Sequence, residues 1–436
     1  MVTTDQSETV QSAALRVWAL LFGIGLLLAG NGLQSSLLGL VAEDSGFSSV
    51  MTGFIMTAYF VGFLAGSSAS ESFISKVGHV RTFAALAALS SAAILVHGLF
   101  VEPTIWMLMR FVTGFSFAGL YVVTESWLNR ETTSAHRGAL LAFYMLVSHL
   151  GLASGQALLN TAPSTELTLY VAASVILSLA VLPILLSSAP QPQINIDVER
   201  LALRALFRTT PLGTVGCFLA GLGNGIVLGM AAVYARQLGY DIATISTFMA
   251  AIMIGGAVFQ WPVGKLSDRF DRRQTILGVA LVTAVASIAL DFADANAATF
   301  ALAGFVAGGL TLTLYPLFLS YANDWFTADQ MVSAASGLVL VYGAGAMLGP
   351  IGTGVLMSIF GPSGFTYYLT ALLVGTAGFT AYRIAFTDGP TEQEDFLYSP
   401  PIVGVAEYWG ECAAEGSEDT EGADPEVAST AALVGK

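Results

Sequence analysis

Runs of about 20 uncharged, mostly apolar residues recur along this chain, and that recurrence limits its possible folds more than any other feature. A bilayer core is crossed by roughly 20 helical residues, and residues 17–41 form one such run with no charge inside it. The same pattern predicts twelve spans, near residues 16–41, 49–72, 82–101, 104–128, 138–160, 167–188, 211–235, 242–264, 274–293, 297–322, 332–360 and 364–386. Lipid offers the backbone no hydrogen-bond partners, so each span must be a helix or a strand of a closed barrel. The runs lack the period-two alternation of barrel strands. The expected class is therefore an all-α integral membrane protein. The first run is too long for a cleaved signal peptide, lacks a basic flank, and carries Asn31 and Gln34.

Only 11% of residues are charged, against about 25% in soluble domains. This excludes a disordered chain and a basic nucleic-acid binder. The net charge of −14 is unevenly placed: residues 388–436 hold 12 of the 30 acids and one Lys. The body is nearly neutral, and the acidic tail is expected to be a solvated cytoplasmic extension, repelled by anionic lipid. Fourteen Lys and Arg fall on the side that holds both termini when the spans number twelve, and only Arg236 falls in the opposite loops. The excess places both termini in the cytoplasm, in a multi-pass protein of the cytoplasmic (inner) membrane. Trp18, Trp106, Trp127, Trp261 and Trp325 sit at predicted helix ends, where interfacial aromatics belong. Cys217 and Cys412 lie in different environments, so neither a disulfide nor a metal site is expected.

The two halves repeat. Gly30, Asn31 and Gly32 return as Gly223, Asn224 and Gly225, an offset of 193. Gly23 matches Gly216 and Gly62 matches Gly255 at that offset. At 194, Gly114 matches Gly308, Tyr121 matches Tyr315, and Gly151 and Gly155 match Gly345 and Gly349. Six spans repeated in one topology make a parallel repeat. The expected organisation is a short segment 1–14, a six-helix bundle 15–188, a linker 189–210, a second bundle 211–387 and the tail 388–436. Arg200, Arg204 and Arg208 lie on one face of a helix in the linker.

Polar groups inside spans are costly and mark candidate sites. The fourth span carries Arg110, Tyr121 and Glu125 on one face, with Arg110 and Glu125 about 22 Å apart at 1.5 Å per residue. Arg110 either holds an anionic group, sets a proton site, or is a structural tether. Glu125 is expected to pair with Arg137 or Arg130 near the inner surface. In the fifth span His149, Gln156 and Asn160 form a polar stripe, with Gly151 and Gly155 on a roughly opposite, close-packing face. Histidine as a residue type titrates near physiological pH, which makes His149 the candidate for proton coupling. Asn31, Gln34, Asn224, Thr311 and Tyr315 are candidate solute contacts, or bond across and within helices. No acid sits mid-membrane in spans 1, 7 or 10, which favours a neutral or anionic solute. No phosphate-binding loop, metal cluster or activated nucleophile is visible, so no enzymatic activity and no cofactor is expected.

After span 8 the chain reads G-x-x-x-D-R-x-D-R-R, through Gly264, Asp268, Arg269, Asp271, Arg272 and Arg273. This resembles the loop signature of the major facilitator superfamily, with Asp271 in place of the usual glycine. The symmetric loop after span 2 is degraded to Glu71, Lys76, Gly78 and Arg81. Arg110 and Gly114, and Glu125 with Arg137 and Gly138, are similar to two further motifs of that superfamily. Gln260, Trp261 and Pro262, with Tyr315 and Pro316 and Gly349 and Pro350, are similar to its YcaD-type permease branch, whose substrate is uncharacterised. The resemblance implies a monomeric secondary transporter for a small solute, coupled to protons and working by alternating access. Spans 1, 4, 7 and 10 would line the cavity, and Asp268 and its basic neighbours would latch the cytoplasmic gate. The competing expectation is a non-transporting sensor that signals through its acidic tail.

Overall fold

The computed structural model describes residues 18–130, 134–186, 203–293 and 296–387, together with 389, 390, 393 and 396. No strand occurs among them. Five long helices come first: α1 (Trp18–Asp44), α2 (Ser49–Val77), α3 (His79–Leu99), α4 (Pro103–Arg130) and α5 (Ser134–Leu158). The sixth apolar run, expected as one helix, is split into α6 (Thr168–Leu179) and α7 (Leu182–Leu186). Pro183 explains the break, because it offers no N–H to the Leu179 carbonyl and its ring crowds that group. A short helix α8 (Leu203–Thr209) follows, turning Leu206 inward and Arg204 and Arg208 outward. Then come α9 (Pro211–Gln237), α10 (Ile242–Arg269), α11 (Arg272–Leu290), α12 (Ala297–Asn323), α13 (Ala328–Phe360) and α14 (Gly364–Phe386).

Eleven stretches among the described residues are long and apolar enough to cross a membrane. The last, Ser333–Phe386, runs through both α13 and α14, which a 3-10 turn at Gly361–Ser363 separates. Helix starts follow side-chain capping. Ser48 accepts from Met51 N, Asp241 from Thr244 N, Asp271 from Arg273 N and Asn296 from Ala298 N.

The repeat seen in the sequence is present atom for atom in the packing. Gly32 lies against the Leu152 carbonyl of α5, and Gly225 against the Ala346 carbonyl of α13. Gly62 meets the Phe111 carbonyl, and Gly255 the Phe305 carbonyl. Gly155 meets Ala29 O and Leu33 N, and Gly349 meets Leu222 O and Ile226 N. Each pair is displaced by 193 or 194 on both partners. Backbones this close leave no room for a Cβ, which is why glycines carry the repeat.

Across the halves α1 packs on α9, α2 on α13 and α5 on α10. Two of the tryptophans expected at the interface are turned inward. Trp106 is fully buried and donates its indole N–H to the His97 and Phe100 carbonyls, and Trp127 packs edge-on against His79. Trp18 and Trp261 do face outward.

Candidate functional site

The cavity between the halves is lined by Asn31 and Ser35 (α1), Tyr59 and Phe60 (α2), Arg110 (α4), Leu152 and Gln156 (α5), Leu228 and Gly229 (α9), and Met249 and Met253 (α10). Its volume of about 30 Å³ holds water rather than a solute, so the site must widen to bind one. Arg110 is 4% exposed, with its guanidinium carbon 4.5 Å from the centre of the Tyr59 ring. Its Nε and Nη1 have no hydrogen-bond partner, and Asn31 Oδ1 and Gln156 Oε1 are also unpartnered. Gln156 is held in place by its Nε2, which donates to Gly32 O at 2.9 Å. Two orphaned donors thus face a space bounded by two orphaned acceptors and by methionine and leucine side chains.

The other candidates are spread over separate groups. Gln34 is buried with both amide atoms unpartnered. Asn224 Nδ2 donates to Tyr342 OH at 3.0 Å, and Tyr342 packs on Tyr315 with ring centres 4.6 Å apart. Thr311 donates to Ala307 O at 2.7 Å, within its own helix. The hydroxyls of Tyr121 and Tyr315 are buried and unpartnered. Glu125 accepts from Tyr144 OH at 3.4 Å; the side chains of Arg130 and Arg137 lie outside the described residues. The stripe on α5 is a seam between the halves as much as a cavity wall. Asn160 Nδ2 donates to Ser246 Oγ at 2.8 Å, and Ser246 Oγ donates to Gln156 O at 2.6 Å. His149 uses Nδ1 on Met145 O at 2.9 Å, and its unpartnered Nε2 lies against Gly256 of α10.

At the end of the bundle that holds Asp44, polar contacts bolt the halves together. Arg236 pairs with Asp44 at 2.7 Å, and Gln237 Nε2 donates to Glu43 Oε2 at 3.0 Å and to Ser49 Oγ at 2.9 Å. Thr57 Oγ1 donates to Met347 O at 2.8 Å. At the opposite, motif-bearing end, Arg272 is fully buried. It reaches Asp324 at 2.7 Å, Ser267 Oγ at 2.8 Å and Asp268 at 3.6 Å. Asp271 explains its own departure from glycine: it caps α11 and clasps Arg273, whose Nη1 donates to Thr387 O at 2.8 Å. Partial burial alone would raise the Asp271 pKa, yet the Arg273 N–H and guanidinium hold it below the usual carboxylate range. Lys76, Arg81 and Arg269 are exposed, and Gly78 makes the tight α2–α3 turn at φ 86°.

A family model for the Major Facilitator Superfamily matches residues 20–241 and 213–411. The chain belongs to the major facilitator superfamily. An uncharacterized MFS-type transporter, YcaD of Escherichia coli O7:K1 (strain IAI39 / ExPEC), is 31% identical over 380 residues, covering 85% of this chain and 98% of that one. The same protein from Escherichia coli O139:H28 (strain E24377A / ETEC) matches equally well. The fold matches the nucleoside transporter NupG with a TM-score of 0.71 at 12% identity, over 85% of this chain and all of that one. It matches a bacterial homolog of the human lysosomal transporter Spinster, in an inward-facing and unoccupied conformation, with a TM-score of 0.67 at 14% identity over 93% of this chain and 98% of that one. As a superfamily member the chain is a multi-pass membrane transporter of small-molecule solutes. Sequence reading missed the Asp44-end bolt, whose charged members sit at helix ends where charges are ordinary.

Proposed function

We propose that this transporter carries a small anionic solute across the cytoplasmic membrane by alternating access, with α13 and α14 each crossing once to complete twelve spans and both termini in the cytoplasm. The observation that carries this reading is Arg110, a buried guanidinium with two free donors aimed at the space between the halves. Burying an unpaired cation is expensive, and a carboxylate or phosphate bound there would offset that cost through charge-assisted hydrogen bonds. Asn31 Oδ1 and Gln156 Oε1 add acceptors for a hydroxyl or amino group of the same solute, and Met249, Met253 and Leu152 supply its apolar wall.

Coupling to protons is assigned to His149. In this state its Nε2 meets Gly256, and α10 carries no ionisable residue between Asp241 and Lys265. An imidazolium there would be unpaired, so protonation favours separation of α5 from α10. The protein works as a monomer, since both halves of the site come from one chain.

The test is thermal stabilisation of the purified protein by hydroxy and amino carboxylates, each beside its neutral diol or amino alcohol. Acids alone should stabilise it. Arg110→Gln should weaken that binding by about ten- to a hundredfold, the worth of a charged hydrogen bond. Arg110→Lys should keep part of it. Equal stabilisation by the neutral partners, or no effect of Arg110→Gln, contradicts the reading.

A further inference from the structure

The face of α10 that meets the other half is used along its whole length, but by different partners at its two ends. Near its start, Ser246 bonds to Gln156 of α5 and to Asn160 in the turn just after it. Ten residues later, about 2.8 turns, Gly256 packs on His149 of α5. Gly264 lies 18 residues after Ser246, five full turns, and so points in the same direction. There the nearest neighbour is Phe396. A Cβ on Gly264 would come within 2.7 Å of Phe396 Cδ1. Phe396 is 5% exposed, and its backbone N–H donates to Asp268 Oδ1 at 3.0 Å, one turn further along α10. The approach to this seat is pinned as well, by Arg273 on Thr387 O and by Gly389 lying against the same guanidinium.

α5 and α10 run antiparallel, with 156 opposite 246 and 149 opposite 256. Continuing that register brings residues near 141 of α5 opposite Gly264. Closing the motif-bearing end of the bundle therefore needs the surface that Phe396 now covers.

We propose that Gly264 and Asp268 form a seat for Phe396, whose ring acts there as a removable wedge that keeps α5 and α10 apart at the motif-bearing end. The wedge rests on the alternating-access reading above. It favours the state closed at Asp44, and the transport cycle requires Phe396 to leave its seat. The ring supplies the apolar contact, and the Asp268 carboxylate supplies register by accepting a backbone N–H that any residue at 396 would offer. The aromatic side chain is thus the specific element.

The test is spin-label distance measurement on the full-length protein in lipid nanodiscs, with Cys412→Ser to remove the tail thiol. One label pair reads the motif-bearing end, at the exposed Val77 and Leu266. A second pair reads the Asp44 end, at the exposed Ser45 and Ala243. Phe396→Ala, and a chain ending at Pro390, should each raise the ratio of short to long distances at the first pair by about tenfold, the effect of withdrawing one buried aromatic contact. An unchanged distribution in both overturns the wedge. Arg236→Ala in the parent is the separate arm: if it lengthens the second pair and shortens the first, alternation stands whatever Phe396 does. If neither Arg236→Ala nor its combination with Gln237→Ala, which removes the Asp44-end contacts of both residues, moves either pair, alternation fails, and the wedge fails with it.

Discussion

Arg110 and His149 are both buried and both carry unpartnered nitrogen atoms, yet their surroundings give them different work. Arg110 faces a polar cavity with acceptors around it, whereas His149 faces a glycine of the other half. His149→Gln keeps size and polarity but removes the proton, so it should flatten the pH dependence of transport without abolishing flux. An unchanged pH profile from pH 5 to pH 8 would remove His149 from the coupling path. Asp271 makes a stability prediction. Its carboxyl lies below the usual range, so the stabilisation it gives is present above the unfolded pKa of about 3.9 and is lost as pH falls through the lower folded value. Asn also caps helices well. Asp271→Asn should therefore lose stability less steeply than the parent as pH falls below about 4. Parallel melting curves would contradict this role for the charge. Residues of this kind were only partly legible in the sequence. Arg110 and His149 stand out because a charge or an imidazole in an apolar run is conspicuous. Asp44 and Arg236 do not, because each sits at a helix end where charges are ordinary, and only their pairing across the two halves makes them a bolt. Being 32% and 21% exposed, that pair contributes about 0–1 kcal/mol by itself and serves mainly to fix register.

At the scale of the element, hydropathy reveals where helices are but not which way their side chains turn. The apolar runs were readable because length and composition are local properties. The break before α7 had a local cue in Pro183. The inward turn of Trp106 did not, because it depends on the His97 and Phe100 carbonyls at the end of α3. The α5 stripe was legible as polar, but its use as a seam depends on Ser246, which lies 90 residues away from Gln156. The glycines give the sharpest test of the packing. Gly62→Ala and Gly255→Ala each push a Cβ into a backbone carbonyl of the neighbouring helix. Each should lower stability by about 1–3 kcal/mol, and by similar amounts because the two contacts are repeats of one another. Gly278 and Gly375 have nothing within 4 Å, so alanine there should stabilise by roughly 0.5–1 kcal/mol through helix propensity. Urea unfolding in detergent reads both. Equal effects at all four positions would contradict close packing as the basis of the repeat.

For the whole molecule, a net charge of −14 on a body that holds almost none of it is a consequence of the membrane. Lipid excludes charge from the spans, and most of the acid excess falls in the last 49 residues. The structure adds that this tail is not wholly separate, since Phe396 reaches the end of α10. The halves are bolted at the Asp44 end, and the cavity beneath holds about 30 Å³; on the proposed alternating-access cycle a solute passes only if the bolt opens and the opposite end closes in turn. The most direct measurement is solute flux in proteoliposomes with the bolt fixed. Asp44→Cys and Arg236→Cys, in a Cys412→Ser background, are joined by a short thiol crosslinker, and influx of the carboxylates that stabilise the protein is followed with and without it. Binding should survive in both preparations, and flux should disappear on crosslinking and return when the linker is cleaved. Flux that persists through the crosslinked protein would contradict alternating access through the Arg110 cavity.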